Sequence, residues 1–149
     1  MDLQNDSITV GIRALNGAPT PEYQTPGAAA FDLSAAADLV VAPGGLALVP
    51  TGLVFAVPPG HFLAIVARSS LARRGLIVAN GLGVLDSDYR GPEDEAKVLV
   101  LNYTQGPVAI ARGDRLAQAF VLRVPRVTFV PLSHDEGEGS RGGFGSTGR

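Results

Sequence analysis

Apolar residues in this chain come in short bursts separated by Gly- and Pro-bearing breaks. Residues 8–15, 45–57, 62–66, 97–103, 116–124 and 127–132 are rich in Val, Leu, Ile and Phe and predict β-strands. Pro26-Gly27, Pro43-Gly44, Pro59-Gly60, Gly106-Pro107 and Gly113-Asp114 predict turns between them. No segment sustains the 3.6-residue apolar period of a full helix. The one helical candidate is brief: Ser69 and Ser70 would cap a turn through Leu71-Ala72-Arg73-Arg74, and Gly75 would stop it. Many short strands with close turns predict an all-β barrel or sandwich.

Two strands break the expected alternation. Val98-Leu99-Val100-Leu101 and Ala119-Phe120-Val121-Leu122 are apolar at every position, whereas a strand with one wet face alternates. Either both faces are covered within this chain, or a second subunit supplies the other wall. From about residue 133 the apolar pattern ends and Gly, Ser and acidic residues take over. This predicts a barrel domain over 1–132 and a flexible C-terminal arm over 133–149.

Composition narrows the class. With 149 residues, 46% hydrophobic and 17% charged, the chain can bury a substantial core. A net charge of -2 argues against a sequence-independent grip on nucleic acid, which needs a basic surface, but leaves room for a small nucleotide held by a few arginines. Cys is 0, which removes disulfides, thiolate metal sites and thiol nucleophiles and fits a reducing, cytoplasmic setting. The polar start Met1-Asp2-Leu3-Gln4 lacks a signal-peptide pattern. No apolar run nears the roughly 18 residues of a membrane span, so no membrane partner is expected.

Five clusters carry candidate chemistry. The C-terminal Arg141-Gly-Gly-Phe-Gly-Ser-Thr-Gly-Arg149 cannot form a helix or strand of its own. Its backbone N–H groups can approach phosphate oxygens closely. Ser146 and Thr147 add donors, Arg141 adds charge, and Phe144 can stack on a base; the bland alternative is a solvated tail. Ala28-Ala29-Ala30-Phe31-Asp32-Leu33 sets one carboxylate among small and apolar residues, a turn cap if nothing more. Arg68-Ser69-Ser70 at a helix start suits phosphate, or is a plain cap beside a solvated arginine.

The run Asn80 to Gly91 reads as a hairpin. Asn80 offers the donor and acceptor that a pyrimidine edge requires, Tyr89 can pack on a sugar, and Asp86 and Asp88 can act as a base or near a hydrated cation. A surface turn with solvated acids is the alternative. In Gly113-Asp114-Arg115-Leu116-Ala117-Gln118, Asp114 and Arg115 are expected to pair locally, while Gln118, inside an apolar strand, must find a polar partner.

In chain order the clusters resemble the five motifs of the trimeric dUTP diphosphatases, the dUTPases, over Ala28 to Gly148. LDSDYRG, GDRLAQ and GGFGSTG are especially close to the family pattern. The resemblance implies a jelly-roll-like β-barrel and a homotrimer with active sites shared between subunits, each closed by a C-terminal arm. It also implies Mg²⁺-dependent hydrolysis of dUTP to dUMP and pyrophosphate, which supplies dUMP for thymidylate synthesis and limits uracil in DNA.

Carried onto this chain, Asp86 would activate the attacking water. Asn80 with the backbone near Gly83 and Leu85 would read uracil, and Tyr89 would pack under the deoxyribose and exclude a 2′-hydroxyl. Arg68, Ser69, Ser70 and Gln118 would hold phosphates, and Asp32 would contact waters around Mg²⁺. Phe144 with Gly145 would cover the base, and Ser146 and Thr147 would meet the γ-phosphate.

The chain departs from the pattern in three places. Gly139 stands where the family usually has an arm arginine, leaving Arg141 as the nearby cation. Pro92-Glu93-Asp94 reads as an insertion that either adds acid beside the site or bulges into solvent. Ala67 precedes Arg68 in place of Gly or Pro. Two other readings stay open. A dCTP deaminase would share the Arg-Ser-Ser-Leu-Ala segment but would need a catalytic glutamate and lack the Asp86–Tyr89 turn. A non-catalytic nucleotide-binding regulatory trimer would tolerate loss of Asp86 or of the glycine tail, and both are present.

Overall fold

The computed structural model describes residues 7–132, 139, 142 and 143. Among these the fold is all-β, with a single turn of 3-10 helix at Leu71–Arg74. The strands are β1 Gly11–Ala14, β2 Phe31–Ser34, β3 Leu39–Val41, β4 Leu46–Pro50, β5 Leu53–Ala56 and β6 His61–Ala67, followed by β7 Leu76–Val78, β8 Gly83–Leu85, β9 Lys97–Asn102, β10 Val108–Ile110 and β11 Arg115–Arg123. Every pairing is antiparallel and most join strands distant in sequence. One sheet runs β2-β11-β6-β8, a second β4-β9-β7, and the pairs β1-β5 and β10-β3 complete a jelly-roll-like barrel.

The inner faces of the two larger sheets meet in one core. Leu33, Leu63, Ile65, Val98, Val100 and Leu116 are among its fully buried side chains. Asn102 is, with Thr51, a buried polar exception. Its amide donates to the carbonyls of Val41 at 2.9 Å and Gly106 at 2.8 Å and accepts the Thr104 N–H at 2.9 Å, so it joins β9 to β3 and to the following loop without leaving a group unpaired.

Several expectations change. The apolar run 45–57 is two strands, because Gly52 at φ +71° turns the chain between β4 and β5. A side chain there would stand 2.6 Å from the Ala18 Cβ, so only glycine fits. The run 80–91 is not a hairpin: β7 pairs with β9, whereas β8 crosses over to pair with β6 in the other sheet. The segment 127–132 is exposed and forms no strand, with Phe129 90% exposed. Its residues have β-propensity, but a strand also needs a ladder partner, and the described residues of this chain offer none. Ser70 sits at the N-cap of the 3-10 turn without a side-chain cap bond, while Gly75 ends that turn at φ +83° as expected.

The non-alternating strand β9 buries Val98 and Val100 inward. Its other face carries Leu99 and Leu101 beside the exposed Leu46 (63%), Leu48 (60%) and Ile77. The described residues leave that outer apolar wall uncovered.

Candidate active site

At one end of the β2-β11-β6-β8 sheet, register brings three of the predicted clusters together. Gln118 on β11 pairs with Asp32 on β2 to one side and with Val66 on β6 to the other. Arg68 follows directly after β6. Its Nε lies 2.9 Å from Asp32 Oδ1, and Arg115 Nη1 lies 3.1 Å from Asp32 Oδ2. The Asp32 side chain is only 11% exposed, so its two oxygens face two guanidiniums. Arg68 also donates to the Arg115 carbonyl at 3.3 Å, and Arg115 donates to Gln24 Oε1 at 2.9 Å. Gln118 finds the partner it needs by donating to the Ala67 carbonyl at 3.2 Å. Ser69 and Ser70 stand exposed at the head of the 3-10 turn beside this cluster. Two arginines around one carboxylate leave a net positive charge next to exposed hydroxyls, which suits a phosphate chain.

Arg115 belongs to this cluster and was not legible as part of it. The expected local pair with Asp114 does not form. Asp114 instead binds Arg74 at 2.7 Å and accepts the Ala111 N–H at 2.9 Å. That backbone bond, then the Arg74 guanidinium, hold the Asp114 carboxyl below its ordinary value. A β-bulge between Arg115 and Ala117 explains the difference. It resets the alternation, so Arg115 and Gln118 share a face although they are three residues apart.

The second group lies along β8 and its flanks. β8 is an edge strand paired only to β6, so its outer backbone groups are open to a ligand with donor and acceptor edges. Asn80 comes just before β8, with its amide nitrogen 3.7 Å from the position a Cβ on Gly83 would occupy. After Leu85 the chain turns: the Tyr89 N–H donates to the Asp86 carbonyl at 3.1 Å. Asp86 and Asp88 are exposed, and Tyr89, 41% exposed, donates its hydroxyl to the Glu95 carbonyl at 3.2 Å.

The Asp86–Tyr89 turn does not meet the arginine cluster in one chain. Leu85 pairs with Leu63, and Arg68 lies five residues further along, so at roughly 3.3 Å per residue the turn begins about 16 Å away, whereas Gly83 pairs with Ile65, nearer to Arg68. The arm residues Arg141, Phe144, Gly145, Ser146 and Thr147 lie outside the described residues.

The family profile described as dUTPase matches residues 16–148. The chain belongs to the dUTPase family. Its enzyme class is thereby that of a dUTP diphosphatase. It is 45% identical over 149 residues to a deoxyuridine 5'-triphosphate nucleotidohydrolase of Anaeromyxobacter sp. (strain Fw109-5), covering 95% of this chain and 99% of that protein. A protein of the same name from Methylocella silvestris is 44% identical over 153 residues, covering 97% of this chain and 94% of the other.

Among solved structures, the dUTPase of Streptococcus mutans superposes with a TM-score of 0.74 at 28% identity, over 80% of this chain and 99% of that one. A mutant dUTPase of Staphylococcus bacteriophage 80alpha, with dUpNHpp, shares the fold at a TM-score of 0.81 and 20% identity, over 96% of this chain and 100% of that one.

Proposed function

We propose that this chain hydrolyses dUTP to dUMP and pyrophosphate as a homotrimer whose active sites each combine groups from different subunits. The observation that carries this reading is the division of the site. An arginine-rich, phosphate-suited cluster and an exposed carboxylate-and-tyrosine turn sit at opposite ends of β6 in one chain. A second copy is needed to bring them together. The uncovered apolar wall of Leu46, Leu48, Ile77, Leu99 and Leu101 supports such an assembly, since monomers rarely leave such patches exposed. The exposed, unpaired segment 127–132 supports an arm that leaves its own barrel.

In this reading Arg68, Ser69, Ser70 and Gln118 hold the phosphates. Asn80 and the open edge of β8 near Gly83 and Leu85 recognise uracil. Tyr89 packs under the deoxyribose. Asp86 takes a proton from the water that attacks the α-phosphorus; the bond from that phosphorus to the bridging oxygen breaks, and pyrophosphate leaves with the electron pair. Phe144, Gly145, Ser146, Thr147 and Arg141 close over the bound nucleotide. The product serves thymidylate synthesis and the reaction keeps uracil out of DNA, in the cytoplasm.

The described residues hold no cluster of three or more His, Cys, Asp or Glu able to cage a metal, and arginines engage both Asp32 oxygens. They fit a Mg²⁺ that arrives on the triphosphate, kept by phosphate oxygens and water, with Asp32 reaching it through water. Bound there, Mg²⁺ neutralises phosphate charge. Incubation with dUTP, dCTP, dTTP and UTP in the presence of Mg²⁺ tests the proposal. Pyrophosphate from dUTP alone is expected. Ammonia from dCTP would mark a deaminase, and no turnover would mark a regulatory nucleotide-binding trimer.

A further inference from the structure

The Pro92-Glu93-Asp94 segment after the Asp86–Tyr89 turn has a defined geometry. The Asp94 carboxylate does not point into solvent: its Oδ2 accepts the Gly91 N–H at 2.6 Å, and the Asp94 N–H donates back to the Gly91 carbonyl at 3.2 Å. These reciprocal bonds close the loop 91–94. A Cβ at residue 91 would stand 2.8 Å from Oδ2, so a side chain there would shift the carboxylate.

Immediately after the loop, the Glu95 carbonyl accepts the Tyr89 hydroxyl at 3.2 Å. The Glu95 side chain accepts the Gly52 N–H at 2.7 Å, and the next residue, Ala96, is buried and donates to the Leu53 carbonyl at 2.8 Å. Tyr89 is therefore held at both ends. Its backbone closes the turn onto Asp86, and its hydroxyl is tied to a returning segment anchored on the barrel. The loop that Asp94 closes links those two anchors along the chain.

We propose that Asp94 is a positioning residue that fixes the tilt of the Tyr89 ring and, through it, the discrimination between deoxyribose and ribose. This rests on the reading that Tyr89 packs against the sugar. The segment then acts as a brace for substrate selection. It acts through geometry: Asp94 touches Tyr89 only by way of the loop, so its loss alters ring placement without removing the ring.

The test compares Asp94→Ala, Asp94→Asn, Tyr89→Phe and Tyr89→Ala by the ratio of kcat/KM for dUTP to that for UTP, with thermal unfolding alongside. Asp94→Ala is expected to lower the ratio roughly tenfold, short of the 10²-fold that a full 1 Å misplacement can cost, with the trimer still folded. Asp94→Asn keeps an oxygen acceptor for the Gly91 N–H and should restore the ratio. Tyr89→Phe keeps the ring but cuts the tie to Glu95 and should lower the ratio as Asp94→Ala does.

A fall in Tyr89→Ala with no change in Asp94→Ala or Tyr89→Phe would overturn the positioning role and leave the sugar-packing role intact. An unchanged ratio in Tyr89→Ala would overturn the reading of Tyr89 itself. Failure of Asp94→Asn to rescue would show that the carboxylate acts by something other than the bond to Gly91.

Discussion

The two ends of β6 hold carboxylates of opposite character. Asp32 is nearly buried, and both of its oxygens are taken by arginines placed by the registers of β2, β6 and β11. Asp86 is exposed, makes no ion pair among the described residues, and is held only by the short-range turn that follows β8. The first arrangement is rigid and already paired, so it can orient a ligand and lend its arginines to phosphate. The second leaves a carboxylate open to accept a proton. A site that needs both a preorganised cation cluster and an unengaged base can obtain them by keeping the two on separate elements and joining them at an interface.

The largest expected effect comes from the open carboxylate. Asp86→Asn keeps shape but removes the base, so turnover should fall about 10²–10⁴-fold while dUTP binding, followed by titration calorimetry, persists. Near-normal turnover would move the base elsewhere, with Asp88 the nearest candidate.

Next comes the arm. Phe144→Ala, or truncation before Gly139, should leave a folded trimer and cost most of the turnover. Arg141→Ala, measured beside it at saturating dUTP and Mg²⁺, should cost roughly 10²-fold if Arg141 stands in for the missing arm arginine. A silent Arg141→Ala beside a damaging Phe144→Ala would assign the arm's role to stacking.

The paired end should respond more mildly. Arg115→Ala leaves Asp32 with Arg68 alone. It should raise the KM for dUTP by about tenfold, since a charge-assisted bond is worth about 1.5–3 kcal/mol and part of this one is exposed to water. An unaltered KM would show that Arg115 only packs.

The fold was legible where burial and local period agree. The strands at 62–66, 97–103 and 116–124 stand within a few residues of β6, β9 and β11. It was not legible where a non-local partner or a register shift decides. Residues 127–132 have strand composition without a strand partner. The bulge after Arg115 hides that residue from any two-residue period. β8 looked like half of a hairpin because nothing in residues 80–91 reveals that its partner is β6. The order of the clusters along the chain suggested the candidate site residues. Their division between two ends of a sheet required the register.

The smallest effect concerns pH. The Asp114 carboxyl is depressed when folded, mainly by the Ala111 N–H and then by Arg74. Its contribution to stability is therefore present above the ordinary value of 3.8 and is lost as pH falls through the lower folded value. Asp114→Asn should flatten the acid limb of a Tm-against-pH curve below about pH 4 and leave the neutral plateau only slightly lower. An unchanged acid limb would show that other carboxylates set it.

The central claim, that one active site takes its cation cluster and its base from different copies of the chain, is tested most directly by mixing two crippled variants. Arg68→Ala damages one half-site and Asp86→Asn the other. Each alone should show little kcat/KM for dUTP. Unfolded together in equal amounts and refolded, they should recover about one quarter of the unmutated value, the chance that two independently drawn chains supply both intact halves. Recovery near that level supports a shared site; a mixture no more active than the two variants kept apart would place the whole site within a single chain and contradict the account.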